Sequence, residues 1–313
     1  MRSGIDARLS VAAIAVVAVV IVAAIAIPLL FLNYRTVAVD EVRTVPLEGA
    51  GRLDLQVTAT VGEMEVRFGP LDGDAVKVRA TIRGHSGLFG GESPLRINIT
   101  SANLSAGQAV AVALDTYAPW PYYSLDRVNY TIVVEESLRT ALNISVTTGG
   151  IALSTASGVV LEGLELNSTV KGAAVSLENG TVLAGNVRIQ TATGGSVLSW
   201  NNVTVAGPCN LTLLESSGPI TARFDQAAPM GGSVNVLVSS TVGEVQVGFG
   251  LSGPVSARTI CSWSLGEPEM IDRGGFGGTP LWFQSDNYPD GALFSAQVNQ
   301  TLGNIVVEGR WTG

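Results

Sequence analysis

The stretch Leu142–Leu153 reads LNISVTTGGIAL, and its pattern decides the fold. Apolar residues occupy every second position on both sides of Gly149. Alternation with a period of two is typical of a strand with one buried face, and a glycine between two such runs marks a tight turn. The stretch therefore predicts a strand, a turn and a second strand.

The same pattern recurs along the chain as an apolar pair, four spacers, a glycine and a second apolar pair, and the copy at Gly172 is one residue longer on each side. The turn glycines are Gly62, Gly149, Gly172, Gly194, Gly218, Gly243 and Gly303. One such unit cannot cover its own apolar face, so neighbouring units must stack into a continuous core. We therefore predict an all-β chain that folds as a β-solenoid. A β-sandwich with turns at similar intervals is the alternative.

A long apolar segment precedes the repeats. No charged residue occurs from Leu9 to Leu32, and a helix of that length spans about 36 Å, enough for a hydrocarbon core of about 30 Å. We predict a single N-terminal transmembrane α-helix, which would contact membrane lipid. The predicted organisation is a cytoplasmic N-terminus at 1–8, the helix at 9–32, a linker at 33–50 and an extracellular β-solenoid domain at 51–313.

Two other interpretations of this segment were weighed. A secretory signal could be cleaved after the small residues at 24–26, but the apolar run continues past them to Leu32. A pilin-type leader would place its cleavage region at 2–5, and the charges of Asp6 and Arg8 in the following helix oppose it.

Asparagines occur unusually often in glycosylation sequons. Nine of the fifteen asparagines begin an Asn-x-Ser/Thr triplet, although serine and threonine number only 50 of 313 residues. The excess predicts N-glycosylation on the exported side of a membrane. The acceptors are Asn98, Asn103, Asn129, Asn143, Asn167, Asn179, Asn202, Asn210 and Asn299. In their repeats, Asn143, Asn210 and Asn299 alternate with inward-facing apolar residues, so we expect them to point outward.

Other side chains limit the possible chemistry. The net charge is −8 and no basic run is present, which argues against nucleic acid as a partner. His85 is the only histidine, so neither a histidine-based triad nor a multi-histidine metal site is expected. Cys209 and Cys261 could form one disulfide in an exported protein, or they could be two buried free thiols.

Two loops could carry a ligand. Tyr117, Trp120, Tyr122 and Tyr123 lie on a proline-stiffened loop that could stack on a surface glycan or contact a protein partner, or could pack as a lid over one end of the core. Asp286, Asn287 and Asp290 suggest calcium, but their spacing misses the alternating ligand pattern and favours a capped turn. No cofactor or metal site is predicted.

The segments NYTIVVEE at 129–136 and LNISVTTGGIAL at 142–153 resemble adhesin families of the domain-of-unknown-function type. Members of these families have toast-rack-like or β-solenoid heads. The resemblance covers roughly residues 50 to 310, and Glu135 stands where proline is common. It implies surface display, adhesion or envelope sensing, and it carries over no catalytic residue.

We therefore expect a membrane-anchored, N-glycosylated cell-surface protein with a structural or adhesion role and no enzymatic activity. The alternative is a homo-oligomeric subunit of an extracellular filament or surface lattice, assembled by β-strand addition. A polysaccharide-active enzyme would need a pair of carboxylates. The acidic residues of the repeats are sparse and form no repeated cluster; they are Glu162, Glu165, Glu178, Glu215 and Asp225.

Overall fold

The computed structural model describes residues 16–24, 35–87, 93–105, 107–116 and 123–313. Residues 16–24 are helical, and the remaining regular structure is strand. Among the described residues, no helix is long and apolar enough to cross a membrane. The predicted transmembrane helix at 9–32 is therefore not confirmed, and its two ends, like the N-terminus at 1–8, lie outside the described residues.

The strands follow the alternating runs of the sequence. In chain order they are β1 (Arg35–Pro46), β2 (Arg52–Val61), β3 (Glu63–Gly69), β4 (Asp74–Ser86), β5 (Leu95–Leu104), β6 (Gly107–Thr116), β7 (Tyr123–Glu135), β8 (Arg139–Thr148), β9 (Ile151–Ser154), β10 (Val160–Val170), β11 (Ala173–Leu177), β12 (Val182–Leu183), β13 (Val187–Thr193), β14 (Ser196–Asn201), β15 (Thr204–Val205), β16 (Cys209–Ser217), β17 (Ile220–Gln226), β18 (Val234–Val242), β19 (Val245–Ser252), β20 (Val255–Leu265), β21 (Pro268–Asp272), β22 (Phe276–Thr279), β23 (Trp282–Ser285), β24 (Ala292–Leu302) and β25 (Ile305–Thr312).

Within the described chain these strands form two sheets that face each other. Sheet A has 11 strands in the order β1-β4-β7-β3-β9-β11-β14-β17-β19-β25-β21. Sheet B has 14 strands, and its main order is β5-β6-β2-β8-β10-β13-β16-β18-β24-β20-β23-β22. Each repeat places its first strand in sheet B and its second in sheet A, with the turn glycine between them.

Successive repeats pair in parallel and in register. In sheet B the first apolar residue of each repeat pairs with its equivalent in the next, along the column Leu142, Leu164, Val187, Leu211, Val236 and Ala296. Parallel stacking of repeats is the arrangement of a solenoid, whereas the alternative sandwich would pair neighbouring strands antiparallel. The all-β prediction and its long parallel sheets are confirmed.

The core lies between the two sheets and is formed by the inward columns. Its C-terminal half contains a cluster of aromatic rings, in which Phe224 stacks on Phe249 at 5.4 Å and contacts Phe294 at 5.1 Å between ring centroids. The indole nitrogen of the buried Trp200 donates to Gln226 Oε1 at 2.9 Å. The one polar atom of this aromatic side chain is therefore satisfied inside the core.

Spatial order departs from chain order at both ends of the solenoid. The strands β6 and β7 stack outside β2 and β3, although they follow them in the chain. At the other end, β24 and β25 insert between β18 and β19 on one side and β20 and β21 on the other. The stretch after Gly250, which looks irregular in sequence, therefore supplies an outer pair of strands and the β22–β23 hairpin.

The predicted linker at 33–50 is wrong. Most of it forms β1, which pairs antiparallel with β4 from Arg35 opposite Ser86 to Pro46 opposite Asp74. Charged residues interrupt the apolar alternation of this strand. Glu41 and Arg43 stand between Val39 and Val45 in that alternation, and the two form an ion pair at 2.7 Å. The alternation was therefore hidden in the sequence.

The turn glycines bring neighbouring repeats into backbone contact. Gly149, Gly218 and Gly243 have φ values of +145°, +150° and +141°. A Cβ on Gly243 would lie 2.1 Å from the carbonyl oxygen of Gly218, and one on Gly149 would lie 1.9 Å from that of Gly62. Both the backbone angle and the close contact therefore require glycine.

Gly218→Val should lower the melting temperature, because a Cβ at this position would lie 2.6 Å from the Gly195 nitrogen at a φ unfavourable for other residues. The expected loss is about 1–3 kcal/mol, the usual scale of strain at a special backbone position. Gly207→Ala is the matched control, since no atom lies within 4 Å of a Cβ there. Equal melting temperatures for Gly218→Val and the parent protein would contradict this account of the turn.

Candidate ligand-binding groove

A groove of about 700 Å³ crosses the outer face of sheet B, from β5 to β13. Small residues line its floor: Ala141 of β8 faces Gly163 of β10, and Ala109 and Ala111 lie on β6, on the other side of β2. Because these side chains are short, the strand backbones form the base of a depression between longer polar side chains. The polar side chains around it are Asp54, Gln56, Thr100, Ser101, Asn143, Glu162, Glu165, Asn186 and Arg188.

Glu162 is positioned in the groove by a β-bulge. The register of β10 against β8 shifts between Leu161 and Gly163, so Glu162 has no partner on β8. Its Oε1 accepts a hydrogen bond from Arg139 Nε at 2.7 Å, and its Oε2 lies 2.9 Å from Arg52 Nε. Bulges re-aim a side chain out of the regular alternation. Here the bulge places a carboxylate between two arginines.

The two arginines keep donors available for a ligand. The Glu162 side chain is only 18% exposed, whereas those of Arg52 and Arg139 are 45% and 56% exposed. A guanidinium has five N–H donors. Arg139 uses its Nε–H for Glu162, and Arg52 uses Nε and one terminal nitrogen for Asp54, so further donors remain on each. Asp54, Glu162, Glu165 and Arg188 line the groove. The charges balance only when Arg52 and Arg139, which lie against Glu162, are counted with them. Amides, hydroxyls and paired charges suit the hydrogen-bonding groups of a neutral polar ligand such as a sugar chain.

The acidic residues weighed for an enzyme are not gathered in one place. Glu162 and Glu165 line the groove. Glu178 lies in a turn, where its Oε1 accepts from Ser176 at 2.6 Å, and Asp225 accepts from Arg223 at 2.7 Å on the outer face of sheet A. Glu215 lies inside the core. Of these five residues, only Glu162 and Glu165 share one site, the groove, and Glu162 is already held there by arginines.

Sequence reasoning missed a polar column inside the core. Ser168, Thr191, Glu215, Ser240 and Gln300 pair in register across sheet B, and all are buried. Each occupies an inward position three or four residues before the turn glycine of its repeat. A polar residue at a position where the alternation calls for an apolar one was the sequence signal that could have revealed this column.

Two members of the column bind the carbonyl groups that the turn directs inward. Ser168 Oγ donates to Gly149 O at 3.0 Å, and Gln300 Nε2 donates to Gly243 O at 2.5 Å. Glu215 accepts hydrogen bonds from Thr191 and Ser196 through Oε2, while its Oε1 finds no partner among the described residues. Burial raises the pKa of the Glu215 carboxyl.

All nine sequon asparagines fall within the described residues, and none is buried. Asn143 and Asn210 are exposed and Asn299 is half-buried, each on the outer face of sheet B. Asn210 Oδ1 accepts a hydrogen bond from Asn235 Nδ2 at 3.2 Å, which leaves its own Nδ2 for a glycan. Asn202 is different, because its Oδ1 caps a turn by accepting from the Ala227 and Ala228 amides at 2.7 and 3.1 Å.

The cysteines are free and buried. Cys209 lies on β16 and Cys261 on β20, with β18 and β24 between them. Three strand spacings amount to about 14 Å, whereas a disulfide joins Cα atoms less than about 7 Å apart. The possible disulfide is therefore wrong, and the alternative of two buried thiols describes the structure. Burial raises their pKa values to about 11 and about 12.

The structure describes only part of the two loops considered as ligand sites. Tyr117, Trp120 and Tyr122 lie outside the described residues, and Tyr123 is buried at the start of β7. Asn287 Nδ2 donates to the carbonyl groups of Gly253 and Val255 at 3.3 and 3.1 Å, so it serves as a loop anchor. In the described part of the chain, no group of three His, Cys, Asp or Glu side chains is placed to hold a metal ion.

No protein-family model and no curated protein matches the sequence. Among solved structures, the chain is similar to a candidate cell adhesion protein from Clostridium sporogenes, with 13% identity, 88% of this chain and 100% of that chain covered, and a TM-score of 0.44. It is also similar to a candidate adhesin from Parabacteroides distasonis, with 9% identity, coverage of 89% and 98%, and a TM-score of 0.38. At these values the likeness carries no argument about function.

Glu215→Gln should stabilise the protein at neutral pH. An unfolded glutamate ionises near its ordinary pKa of 4.5, whereas the folded protein holds the proton to higher pH. The carboxyl therefore favours folding in acid, and this contribution is lost as the pH rises from 4.5 through the folded pKa. Glutamine does not titrate, so the difference in melting temperature should appear above pH 4.5 and vanish below it. The outer-face variant Glu165→Gln is the control, and a pH-independent difference for Glu215→Gln would contradict this account.

Proposed function

We propose that this chain is a membrane-anchored, N-glycosylated cell-surface protein with a structural or adhesion role. The observation that carries the proposal is the placement of the sequons. Their excess in the sequence coincides with a fold in which every acceptor asparagine is at least partly accessible. Glycans on the outer faces of the sheets would not disturb the core.

The solenoid is suited to a structural role. Eleven strands of sheet A, at about 4.8 Å each, extend roughly 50 Å along the stacking direction. Inward columns, backbone ladders and turn contacts connect every repeat to its neighbours. Such an arrangement would hold a binding surface at a fixed distance from its attachment point.

The N-terminal segment supports membrane attachment. The helix at 16–24 exposes its large apolar side chains, with between 52% and 68% of each accessible from Val16 to Val22. An exposed apolar surface of this kind marks contact with a membrane or another protein. The uncharged run from Leu9 to Leu32 favours the membrane.

The groove supports the adhesion role. It is open along the outer face of sheet B, and its lining includes the side chains of Asn143, Glu162 and Arg188. The exposed guanidinium groups of Arg52 and Arg139 lie next to it, against Glu162. A surface glycan or an extended polar segment of a partner protein would match these donors and acceptors. Both belong to the exported side, where the sequons would be used.

The protein should fractionate with membranes and lose mass on enzymatic removal of N-glycans. Asn143→Gln and Asn210→Gln should each remove one glycan, because both side chains are exposed on strands that stay paired on both sides. Asn235→Gln is the matched control, since Asn235 pairs with Asn210 but begins no sequon. A mature N-terminus near Ile27 would contradict the anchor, and an unchanged mass after deglycosylation would contradict the surface assignment.

A further inference from the structure

The four outermost strands of the two sheets differ in how they are protected from pairing with another chain. An edge strand exposes unpaired backbone groups, and proteins commonly protect it with charge, proline or a short length. Strand β1 carries Arg35, Asp40, Glu41 and Arg43 and ends at Pro46. At the other end, β21 has five residues and begins with Pro268, and β22 has four residues that include two glycines.

Strand β5 is the least protected of the four. It is ten residues long, reads LRINITSANL, and contains Arg96 as its one charged residue. It pairs with β6 on one side and ends sheet B on the other. Ile97 and Ile99 pack against the core, and Leu104 is 49% exposed. A long, apolar and nearly uncharged edge of this type is prone to add a further strand.

What β5 does contain is two sequons, at Asn98 and Asn103, and both asparagines are exposed. Because they are five positions apart, an odd number, the strand alternation sends the two side chains to opposite faces of the sheet. The outermost strands β1, β21 and β22 contain no asparagine. The least protected edge is thus also the only one of these four strands with acceptor sites, and they flank it on both faces.

We propose that N-glycans on Asn98 and Asn103 keep the free edge of β5 from pairing with a second copy of this chain. An incoming strand would lie about 4.8 Å from β5, beside the two glycan-bearing residues on either face of the sheet. The incoming strand could pair with β5 only if its own side chains were packed against the large, hydrated glycans. The inference rests on the proposed export and glycosylation, and it predicts that strand addition at this edge requires removal of the glycans.

The contacts around the second site are compatible with a glycan. Asn103 Nδ2 donates to Glu48 Oε2, and this bond holds the side chain at the end of the strand. A glycosylated asparagine keeps one hydrogen on that nitrogen, so the contact with Glu48 can persist. Asn98 lies opposite Ala113 of β6 in the pairing register, so its neighbour on that strand is small.

The test compares the mass in solution of the full-length glycoprotein with that of the double variant Asn98→Gln/Asn103→Gln. Light scattering during gel filtration should show at least a doubling of the mass for the double variant, at a concentration where the parent is monomeric. The control Asn143→Gln/Asn210→Gln removes two glycans from interior strands, and this variant should remain monomeric. Adding Ala102→Lys to the edge variant places a charge on exposed β5 and should restore the monomer.

Enzymatic deglycosylation of the folded parent gives the same comparison if the double variant fails to fold. A folded edge variant or deglycosylated parent that stays monomeric would overturn the inference. Glycopeptide mass spectrometry separates the two proposals. Occupied sequons elsewhere with Asn98 and Asn103 empty would overturn the edge inference alone, whereas nine empty sequons would overturn the proposed function as well.

Discussion

The backbone contact between turn glycines of neighbouring repeats is the constraint on which the rest of the structure depends. At Gly149, Gly218 and Gly243 a Cβ would lie 1.9 to 2.6 Å from a backbone atom of the adjoining repeat. This contact keeps neighbouring repeats one strand spacing apart at the turn where each repeat crosses from sheet B to sheet A. The stacked repeats can then pair in parallel in both sheets, and the inward columns form one core.

The same constraint accounts for the polar column within the core. A tight turn directs backbone carbonyl groups toward the interior, where an unpaired acceptor is costly. Ser168 and Gln300 supply donors to these groups. Glu215 occupies an equivalent position, and the cost of burying its charge is why its pKa is raised. Architecture therefore determines which buried positions are polar, while the outer faces remain available for glycans and ligands.

The repeat positions were predictable because alternation and turn glycines are local features. The register of Asn143 and Asn210 followed from the same parity, and the structure places both outward. The order of repeats at the two ends was not predictable, since the position of β24 depends on pairing with both β18 and β20. The groove also escaped prediction, because it needs Ala109, Ala141 and Gly163 from three strands and a bulge at Glu162.

Distances between spin labels along one outer row of sheet B test the stacked architecture most directly. Engineered cysteines at Gln56 and at Leu237, Gln297 or Ile260 would carry the labels, and the native thiols are buried. The observed strand order places these positions five, six and seven strands from Gln56, which predicts separations of about 24, 29 and 34 Å. A label at Ile260 closer to Gln56 than one at Gln297, or separations that do not increase along the row, would contradict the account.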